Sequence, residues 1–561
     1  MLGLMIGQRR KERLRRLLRR LAFGLLAVAV SLLLTYTAFR RWTLHTPPKD
    51  AGPPLPAAAS VDGQRRVSVD ASWMERRDGV WHLSLSGNPR EMGHAHGLLA
   101  GRITTEIELH LSRLMRRFVT TPLRRWVADN IVRWRFRNMP AHIPPRRLVE
   151  LAAYSRTMLE TDDLPEQPFH RLVFYHALHD ITQRLDGSPL IGCTALAAWG
   201  KKTTQGHLIV GRNFDFEGGD IFDRDKAVIT FHTPGRIPFV SVAWPGMMGV
   251  VTGVNAKRIY VSINAARTDD PLEPGIPMAF LVREILEGAG SIQEALAIIK
   301  RDPVMVAEGL LLADGKVPEA VVVELSPGQL AVRRSASQVI GLANHFLAKK
   351  YKADASNDWL RRHTTSDARH RRLVQLLGRF GGRIDVKTAA MILRNRTGID
   401  DVPLGLGNRN ALDALIATHS VVLDLTEMVL WVSRGPNLLG PFVPVDLKAV
   451  FGMPVKEMTS IEPIPADPLR DSPDLLRFRQ AMGQIEYSRE LARAGRLADA
   501  LDYARRAAGI QPSSTAAHML LGDLLWQAGR WNEAKREYRL FLELHPPYRK
   551  QRDRVKARLG S

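Results

Sequence analysis

The chain has 561 residues, 45% of them hydrophobic, and its 80 Lys and Arg against 57 Asp and Glu give a formal net charge of +23. This length and apolar content exclude a chain that is disordered throughout and allow about three domains. The single cysteine, Cys193, excludes an internal disulfide and any multi-thiolate metal site, and we expect neither a metal nor a cofactor.

The N-terminus predicts a membrane anchor over residues 1–41. These residues hold ten cations and one acid, so +9 of the net charge lies in this segment. Residues 21–39 carry no charge over 19 positions, which is long enough to span the hydrocarbon core of a bilayer. Eight cations precede this span and two follow it. The positive-inside rule therefore predicts a single-pass protein with a cytoplasmic N-terminus and an extracytoplasmic body, periplasmic in a bacterium, where no nucleic-acid partner is expected.

Two segments separate the anchor from the main domain. Residues 42–66 are rich in Pro and Ala and predict a stiff spacer. Residues 67–192 have a mainly helical pattern and are interpreted as a propeptide-like region. Within them, the basic and aromatic stretch from Trp126 to Phe136 fits a helix on a membrane surface or a packed helix with its Arg side chains in water, and we expect the packed helix.

Residues 193–455 alternate between two periodicities. Helical segments lie between groups of short strand-like runs, which predicts an α+β domain with two antiparallel sheets covered by helices. The predicted strands are 208–210, 226–231, 239–244, 258–263, 320–325 and 420–425, and the predicted helices are 279–288, 291–300 and 368–377. Residues 456–473 form a second Pro-rich linker.

The C-terminal residues 474–561 contain an internal repeat. The sequence from Ala494 to Ala500 recurs from Ala528 to Ala534, and Pro512 recurs as Pro546. A period of this kind, with small residues where helices cross, resembles the tetratricopeptide repeat and predicts an all-α region. Two repeats are few for an independent array, so the repeats are expected either to pack on the main domain or to bind a protein partner.

The segment that carries chemistry surrounds Cys193. It predicts a strand beginning at Cys193, a turn ending at Gly206, and a return strand that brings Arg212 and Asp215 back beside the thiol. A nearby guanidinium favours the reactive thiolate, and a carboxylate can orient an amine. Because a spacing of three places side chains on opposite faces of a regular strand, we expect the return strand to end or bulge between Arg212 and Asp215.

The surrounding motifs resemble the acyl-coenzyme A:6-aminopenicillanate acyltransferase family, which is related to the choloylglycine hydrolases and penicillin V acylases. The resemblance covers residues 80–443 and departs from the family at Ala343, where Thr is common. The motifs, in the family's order, are Glu91-Met92-Gly93 with Gly97, Gly192-Cys193-Thr194 with Gly211-Arg212-Asn213 and Asp215, Asn264, Asn344-His345-Phe346, and Ser366 with Arg369.

The resemblance implies an N-terminal-nucleophile hydrolase with an αββα four-layer sandwich, which cuts itself between Gly192 and Cys193. Cys193 would then be both nucleophile and, through its freed α-amino group, general base. Asp215 would hold the amine and Arg212 would tune the thiol. The remaining assignments implied by the family are Asn264 and Asn344 as oxyanion donors and Arg369 as part of the charge network.

These residues predict a self-processing cysteine amide hydrolase, or an acyltransferase that uses the same thioester. The expected substrate is a small N-acyl compound, and the processed fragments are expected to stay associated. Two alternatives stay open: a papain-like arrangement of Cys193 with His345 and Asn408 or Asn410, and a membrane-anchored scaffold that uses its repeats while its hydrolase domain is inactive.

Overall fold

The computed structural model describes the chain except for residues 1, 54, 57–59, 62–65, 159–160, 162, 165, 184–190, 272, 455–459 and 561. Its N-terminal part contains α1 (Leu2–Trp42), β1 (Ser60–Val61), β2 (Val67–Val69), β3 (Ser72–Arg77), β4 (Val80–Ser86), α2 (Pro89–Phe118), α3 (Pro122–Arg135), α4 (Pro145–Ser155), α5 (Pro168–His176) and α6 (Leu178–Thr182).

The middle and C-terminal parts follow in chain order. The middle part contains β5 (Ile191–Gly200), β6 (Gly206–Phe216), α7 (Asp220–Arg224), β7 (Ala227–His232), β8 (Phe239–Ala243), β9 (Thr252–Asn255), β10 (Ile259–Ala265), α8 (Met278–Gly288), α9 (Ile292–Arg301), β11 (Glu308–Asp314), β12 (Glu319–Ser326), β13 (Gln329–Arg334), β14 (Val339–Leu342), α10 (Ala355–His363), α11 (Ser366–Arg379), α12 (Val386–Leu393), β15 (Ala417–Asp424), β16 (Val429–Ser433), β17 (Phe442–Asp446) and α13 (Leu447–Val450). The last five helices are α14 (Pro473–Arg493), α15 (Leu497–Ile510), α16 (Thr515–Gln527), α17 (Trp531–Glu543) and α18 (Arg549–Gly560).

Two sheets form the centre of the molecule. One has eleven strands in the order β1-β2-β3-β4-β7-β8-β9-β10-β11-β12-β13, and the other has six in the order β14-β5-β6-β15-β16-β17. Every pairing is antiparallel except that of β4 with β7, so strands that precede Cys193 in the chain extend the larger sheet. The predicted strands and helices of residues 193–455 are present.

The sheets and helices form four layers. One apolar cluster lies between the sheets and joins Ala197 and Val210 of the smaller sheet to Leu311 and Val322 of the larger one. The outer face of the larger sheet packs against helices that include α2, α4, α5, α8 and α9, and the outer face of the smaller sheet packs against α11 and α12. The predicted αββα sandwich is confirmed.

Helix α1 is the membrane candidate. Its segment Arg15–Trp42 is long and apolar enough to cross a bilayer, and none of its most apolar window is buried. The segment after it differs from the predicted stiff spacer, because Thr43, His45 and Ala51 are buried in the folded body. The His45 backbone N–H donates to Nδ1 of His170 at 3.1 Å, so this part of the linker is fixed by contacts as well as by its prolines.

Helix α3 differs from the predicted packed helix with solvated Arg side chains. Ile131 is 58% exposed, whereas Arg133 is 2% exposed and reaches Glu166 at 2.6 Å. Trp126 donates its indole N–H to the hydroxyl of Tyr36 in α1 at 3.0 Å. The apolar face of α3 is therefore exposed to solvent beside the C-terminal end of α1. Arg133 lies on the inner face, where it pairs with Glu166.

The propeptide-like region is held to the main domain by a buried cluster of charges. Glu150 of α4 accepts from Nη1 of Arg147 and from Nη1 of Arg283 in α8, both at 2.9 Å. Arg147 also reaches Glu284 and Glu287 of α8. Because isolated buried charges are very unfavourable, α4 and α8 depend on each other for neutralisation.

The C-terminal helices form the predicted repeats. Each of the two turns that recur in the sequence contains a glycine in the left-handed region, Gly495 at φ +77° and Gly529 at φ +73°, which allows the chain to reverse between paired helices. Leu475 of α14 packs with Leu415 and Leu439 of the main domain. The repeats are therefore packed on the main domain.

We expect Glu150→Gln to lower the free energy of unfolding by about 3–5 kcal/mol, because it removes the carboxylate that two buried guanidinium groups share. Urea unfolding of the full chain, followed by tryptophan fluorescence, measures this change. The matched control is Asp302→Asn, whose partner Arg301 is 62% exposed, and it should cost less than about 1 kcal/mol. Equal losses in both variants would contradict the proposed role of the cluster.

Candidate active site

The Cys193 hairpin has the predicted strands with one difference at its start. Strand β5 begins at Ile191, two residues before Cys193, so the Gly192–Cys193 peptide lies within a paired strand. Cys193 is opposite Phe214 and Gly192 is opposite Asp215 in strand β6. The junction is therefore held by a neighbouring strand on which the candidate partners of the cysteine lie.

Arg212 and Asp215 lie on opposite faces of the smaller sheet. The expected end or bulge in β6 is absent, since β6 pairs regularly with β5 from Ile209 to Phe216. The irregularity lies instead in the neighbouring strand β15, between Ala417 and His419. Arg212 consequently shares the thiol's face, between the sheets, and Asp215 faces the opposite side, so the Cys193 backbone lies between them.

The thiol is enclosed between the two sheets. Cys193 is fully buried, and Nη2 of Arg212 donates to Sγ at 3.7 Å. The same guanidinium donates to carbonyls of Val251 and Ile263 in the larger sheet, which holds it beside the sulfur. Burial raises the pKa of the Cys193 thiol to about 11, against the lowering effect of Arg212. In this enclosed state the thiol is protonated at neutral pH.

Asn344 and Arg369 hold the backbone of Cys193. The Cys193 N–H donates to Oδ1 of Asn344 at 2.9 Å. Arg369 donates to the Cys193 carbonyl at 2.6 Å, to Oγ1 of Thr194 at 2.8 Å and to Oδ1 of Asn344 at 2.6 Å. One charge-assisted contact to its carbonyl and one amide contact from its N–H thus fix both sides of Cys193.

Asp215 lies on the other side of the junction among cations. Burial raises the pKa of its carboxyl to about 7, although Arg409 and Arg369 oppose the shift. A Cβ built on Gly192 would lie 3.6 Å from Nη2 of Arg369, 3.7 Å from Nη2 of Arg409 and 3.8 Å from Cβ of Asp215. The peptide before Cys193 is therefore surrounded by one titratable carboxyl and two guanidinium groups.

Asn264 hydrogen-bonds to the backbone that immediately precedes Asn344. Its side-chain amide donates to the carbonyls of Ala343 at 3.1 Å and Leu342 at 3.4 Å, immediately before Asn344. Asn344 in turn donates from Nδ2 to the carbonyl of Ala265 at 2.9 Å. The structure thus brings Asn264 to the strand end that carries Asn344, and brings the other predicted residues directly to the Gly192–Cys193 peptide.

Three residues that the sequence analysis did not select complete the surroundings. Arg409 lies beside Gly192 and Asp215, and Thr252 receives a hydrogen bond from Arg212. His419 shares a hydrogen bond of 3.0 Å with Thr252. No local motif marks them, because each reaches the site from a different loop or strand. The sequence analysis came nearest to them with Asn408 and Asn410, which flank Arg409.

The papain-like alternative does not assemble in the described part of the chain. Nδ1 of His345 hydrogen-bonds to Oγ of Ser366 at 2.7 Å, and burial lowers the pKa of His345 to about 2. The side-chain amides of Asn408 and Asn410 both donate to the carbonyl of His545 in the repeat region. These groups therefore support other contacts instead of forming a triad with Cys193.

One further cluster contains ligand types that could hold a metal. Atoms of His179, Asp180 and Glu308 all lie within 4.8 Å of one another, and the three residues are buried. Burial lowers the pKa of His179, but Glu308 and Asp180 outweigh this effect and raise it to about 9. Nδ1 of His179 lies 3.0 Å from Glu308 and 3.6 Å from Asp180, so the cluster is an ion-paired contact that joins α6 to strand β11.

Two family models match the chain. Residues 201–404 match the model described as acyl-coenzyme A:6-aminopenicillanic acid acyl-transferase, and residues 491–559 match a tetratricopeptide repeat model. The first match begins after Cys193 and includes the other five predicted site residues. The resemblance stated from the motifs is confirmed by these matches.

Similar proteins were found among curated sequences and solved structures. An N-acylethanolamine-hydrolyzing acid amidase from Caenorhabditis elegans is 24% identical over 24% of this chain and 39% of its own length. The corresponding protein from Mus musculus is 26% identical over 23% of this chain and 37% of its own length. The chain therefore spans less than half of these relatives. A solved Caenorhabditis elegans ortholog of that amidase is 20% identical, with coverage of 42% of this chain and 93% of its own, at a TM-score of 0.31.

The enclosed thiol gives a direct prediction. Cys193 is the only cysteine in the chain, so a thiol label reports on this residue alone. Iodoacetamide at pH 8 should modify the uncut folded chain at least about tenfold more slowly than the urea-unfolded chain, since burial both blocks access and raises the thiol pKa. Intact-mass spectrometry measures the labelling of uncut and cut chains separately. Equal rates for folded and unfolded uncut chain would contradict an enclosed thiol.

Proposed function

We propose that this chain is a self-processing cysteine amide hydrolase, or an acyltransferase working through the same intermediate, with Cys193 as its nucleophile. The observation that carries the proposal is the convergence of Asp215, Asn344, Arg369 and Arg212 on the peptide that joins Gly192 to Cys193. Those four residues were selected from sequence motifs, and they come from three separate segments: strand β6, the chain just after β14, and helix α11.

Processing begins with attack of the Cys193 sulfur on the carbonyl carbon of Gly192. The C–N bond breaks as the acyl group moves to sulfur, and the former peptide nitrogen becomes the α-amino group of Cys193. Water then hydrolyses the thioester and releases the Gly192 carboxylate. Because the thiol pKa is about 11 in the uncut chain, a base must remove its proton. Asp215, with a pKa of about 7, lies on the face opposite the thiol, so it is placed to act on the departing peptide nitrogen and not directly on the thiol.

Substrate turnover then uses the freed amine. An α-amino group has an ordinary pKa of about 7.7–8.0, so it can accept the thiol proton at neutral pH. Asp215 would hold the amine, and Arg212 would favour the thiolate. Asn344, with Asn264 supporting its strand end, would donate to the oxyanion of the tetrahedral intermediate. The acyl-enzyme thioester then passes its acyl group to water or to an amine.

The same proposal includes location and substrate. The cation asymmetry across residues 21–39 supports a cytoplasmic N-terminus and an extracytoplasmic catalytic domain. Helix α3 presents exposed Leu123, Ile131 and Trp134 beside the end of α1, which supports a position of the catalytic domain against the bilayer. A substrate that carries an acyl chain fits this position, and the relatives named as N-acylethanolamine-hydrolyzing amidases support an N-acyl compound.

Self-processing is tested by the intact mass and N-terminal sequence of the purified protein beside Cys193→Ala and Cys193→Ser. We expect a fragment that begins Cys-Thr-Ala-Leu in the wild type and an uncut chain with Cys193→Ala, because alanine offers no nucleophile. Cys193→Ser should cut more slowly, since a hydroxyl is a weaker nucleophile. The two wild-type fragments should coelute in size-exclusion chromatography, held by the buried cluster of α4 and α8. An uncut wild-type chain would favour the inactive-scaffold alternative.

Asn344→Ala should lower kcat for amide hydrolysis by about 10²–10³-fold through loss of an oxyanion donor. Steady-state kinetics of the processed protein on a fluorogenic N-acyl amide measure this effect. Asn357→Ala is the matched control, because Asn357 is a buried asparagine that bonds to Phe346 instead of Cys193. A similar loss of kcat in both variants would show a general folding defect and count against the assigned role.

A further inference from the structure

Gly192, the residue before Cys193, lines a large cleft. The cleft has a volume of about 1360 Å³, and its lining includes Gly192, Asp215, Asn344 and Arg369. This volume exceeds the roughly 300–1,000 Å³ of an ordinary small-molecule site. The cleft therefore has room for a substrate that extends well beyond the scissile amide.

The C-terminal repeats form one wall of the cleft. Helix α14 contributes Phe478 and Met482, and α16 contributes Met519 and Leu520. These are the first helices of the two helical pairs, and α18 also lines the cleft. In repeat proteins, the surface formed by stacked helices commonly binds a ligand. Here residues of that surface line the same cleft as the candidate catalytic residues.

Close backbone contacts fix the repeats in this position. Gly407 has φ +78°, and a Cβ there would lie 2.7 Å from the ring of Phe478; a Cβ on Gly405 would lie 2.1 Å from the carbonyl oxygen of Ser513. Asn408 donates to the carbonyl of His545 at 3.2 Å. The loop that carries Arg409 to Gly192 is therefore the same loop on which the repeats rest.

The chemistry of the wall is suited to an aliphatic chain. Phe478, Met482, Met519 and Leu520 are apolar, and the two methionines are flexible side chains that adapt to an apolar ligand. Charged residues of the repeats, among them Arg489, Asp523 and Arg554, line the same cleft, so the apolar part of the wall is the patch formed by these four side chains. A substrate with one polar amide and one long apolar tail fits a cleft that holds both the polar groups around Gly192 and this apolar patch, because burial of the tail removes apolar surface from water.

We propose that the repeats are a wall of the active site and bind the acyl chain of the substrate, with Met482 and Leu520 as residues that determine the accepted chain length. The proposal rests on the proposed function for the position of the scissile amide. It assigns the repeats a role in substrate selection, in addition to their packing on the catalytic domain.

Hydrolysis of two fluorogenic amides of 7-amino-4-methylcoumarin tests the assignment in the full chain held in phospholipid nanodiscs. One amide carries a butanoyl group and the other a hexadecanoyl group. Met482→Trp, which fills the cleft but stays apolar, and Leu520→Glu should each raise KM for the hexadecanoyl amide at least about tenfold through lost apolar burial. Both should leave kcat/KM for the butanoyl amide within about twofold, because the short chain does not reach the repeats.

Matched controls lie on the outer side of the repeats. Leu476 is 66% exposed and Leu540 is 42% exposed, and neither belongs to the cleft lining. Leu476→Glu and Leu540→Glu should leave KM for both amides unchanged. An unchanged KM for the hexadecanoyl amide in Met482→Trp and Leu520→Glu would overturn the proposal, and so would an equal rise in all four variants.

A binding measurement separates this proposal from the proposed function. Fluorescence titration of the uncut Cys193→Ala chain with N-hexadecanoyl dansyl-ethylenediamine needs no turnover. Met482→Trp introduced into that chain should raise Kd at least about tenfold, whereas Leu476→Glu should not change it. Absence of turnover in the wild type, together with this difference in Kd, would reject the proposed function and retain the acyl-chain wall. An equal Kd in both variants would reject the wall even if the wild type is active.

Discussion

The contact between Arg212 and the carbonyl groups of the facing sheet is the constraint on which the site depends. Arg212 is fully buried in the smaller sheet and donates to Val251 and Ile263 of the larger one. A buried guanidinium without partners would be very unfavourable, so the two sheets must keep their relative position around it. The thiol of Cys193 lies in the same layer, and its environment is therefore set by the way the sheets pack.

The helices that precede Cys193 belong to the same folded unit. Strand β4 pairs with β7, and α4 shares its buried charges with α8. A cut at Gly192 would leave a noncovalent interface that contains both sheet pairing and compensated charges. This arrangement explains physically how a chain could be divided at its nucleophile without losing the sandwich that positions Arg212 and Arg369.

The repeats have a specific relation to the cleft. Their first helices line the same cleft as Gly192, and the loop containing Gly405, Gly407 and Arg409 contacts both the repeats and the junction. A change in the packing of the repeats would therefore change the position of Arg409. The repeats and the candidate active site form one continuous surface, which distinguishes this arrangement from a partner-binding module on a flexible linker.

The sequence by itself determined the local features. Alternation, helical spacing and turn residues were sufficient for the Cys193 hairpin, the strands of the sandwich, the repeats and α1, because each depends on contacts between residues close in the chain. Family motifs were sufficient to select Cys193, Arg212, Asp215, Asn344 and Arg369. The burial of His45 and of Arg133 was not predicted, since it depends on distant partners.

Only the tertiary structure decided which side of the strand each group faces and what covers the site. Arg212 and Asp215 lie on opposite faces because β6 stays regular and the bulge is in β15, which no local spacing specifies. Arg409 and the apolar wall of Met482 and Leu520 reach the cleft from segments more than 200 residues beyond Cys193. Such contacts form when separate layers pack, so their physical cause is long-range burial and charge compensation, which a local sequence pattern does not encode.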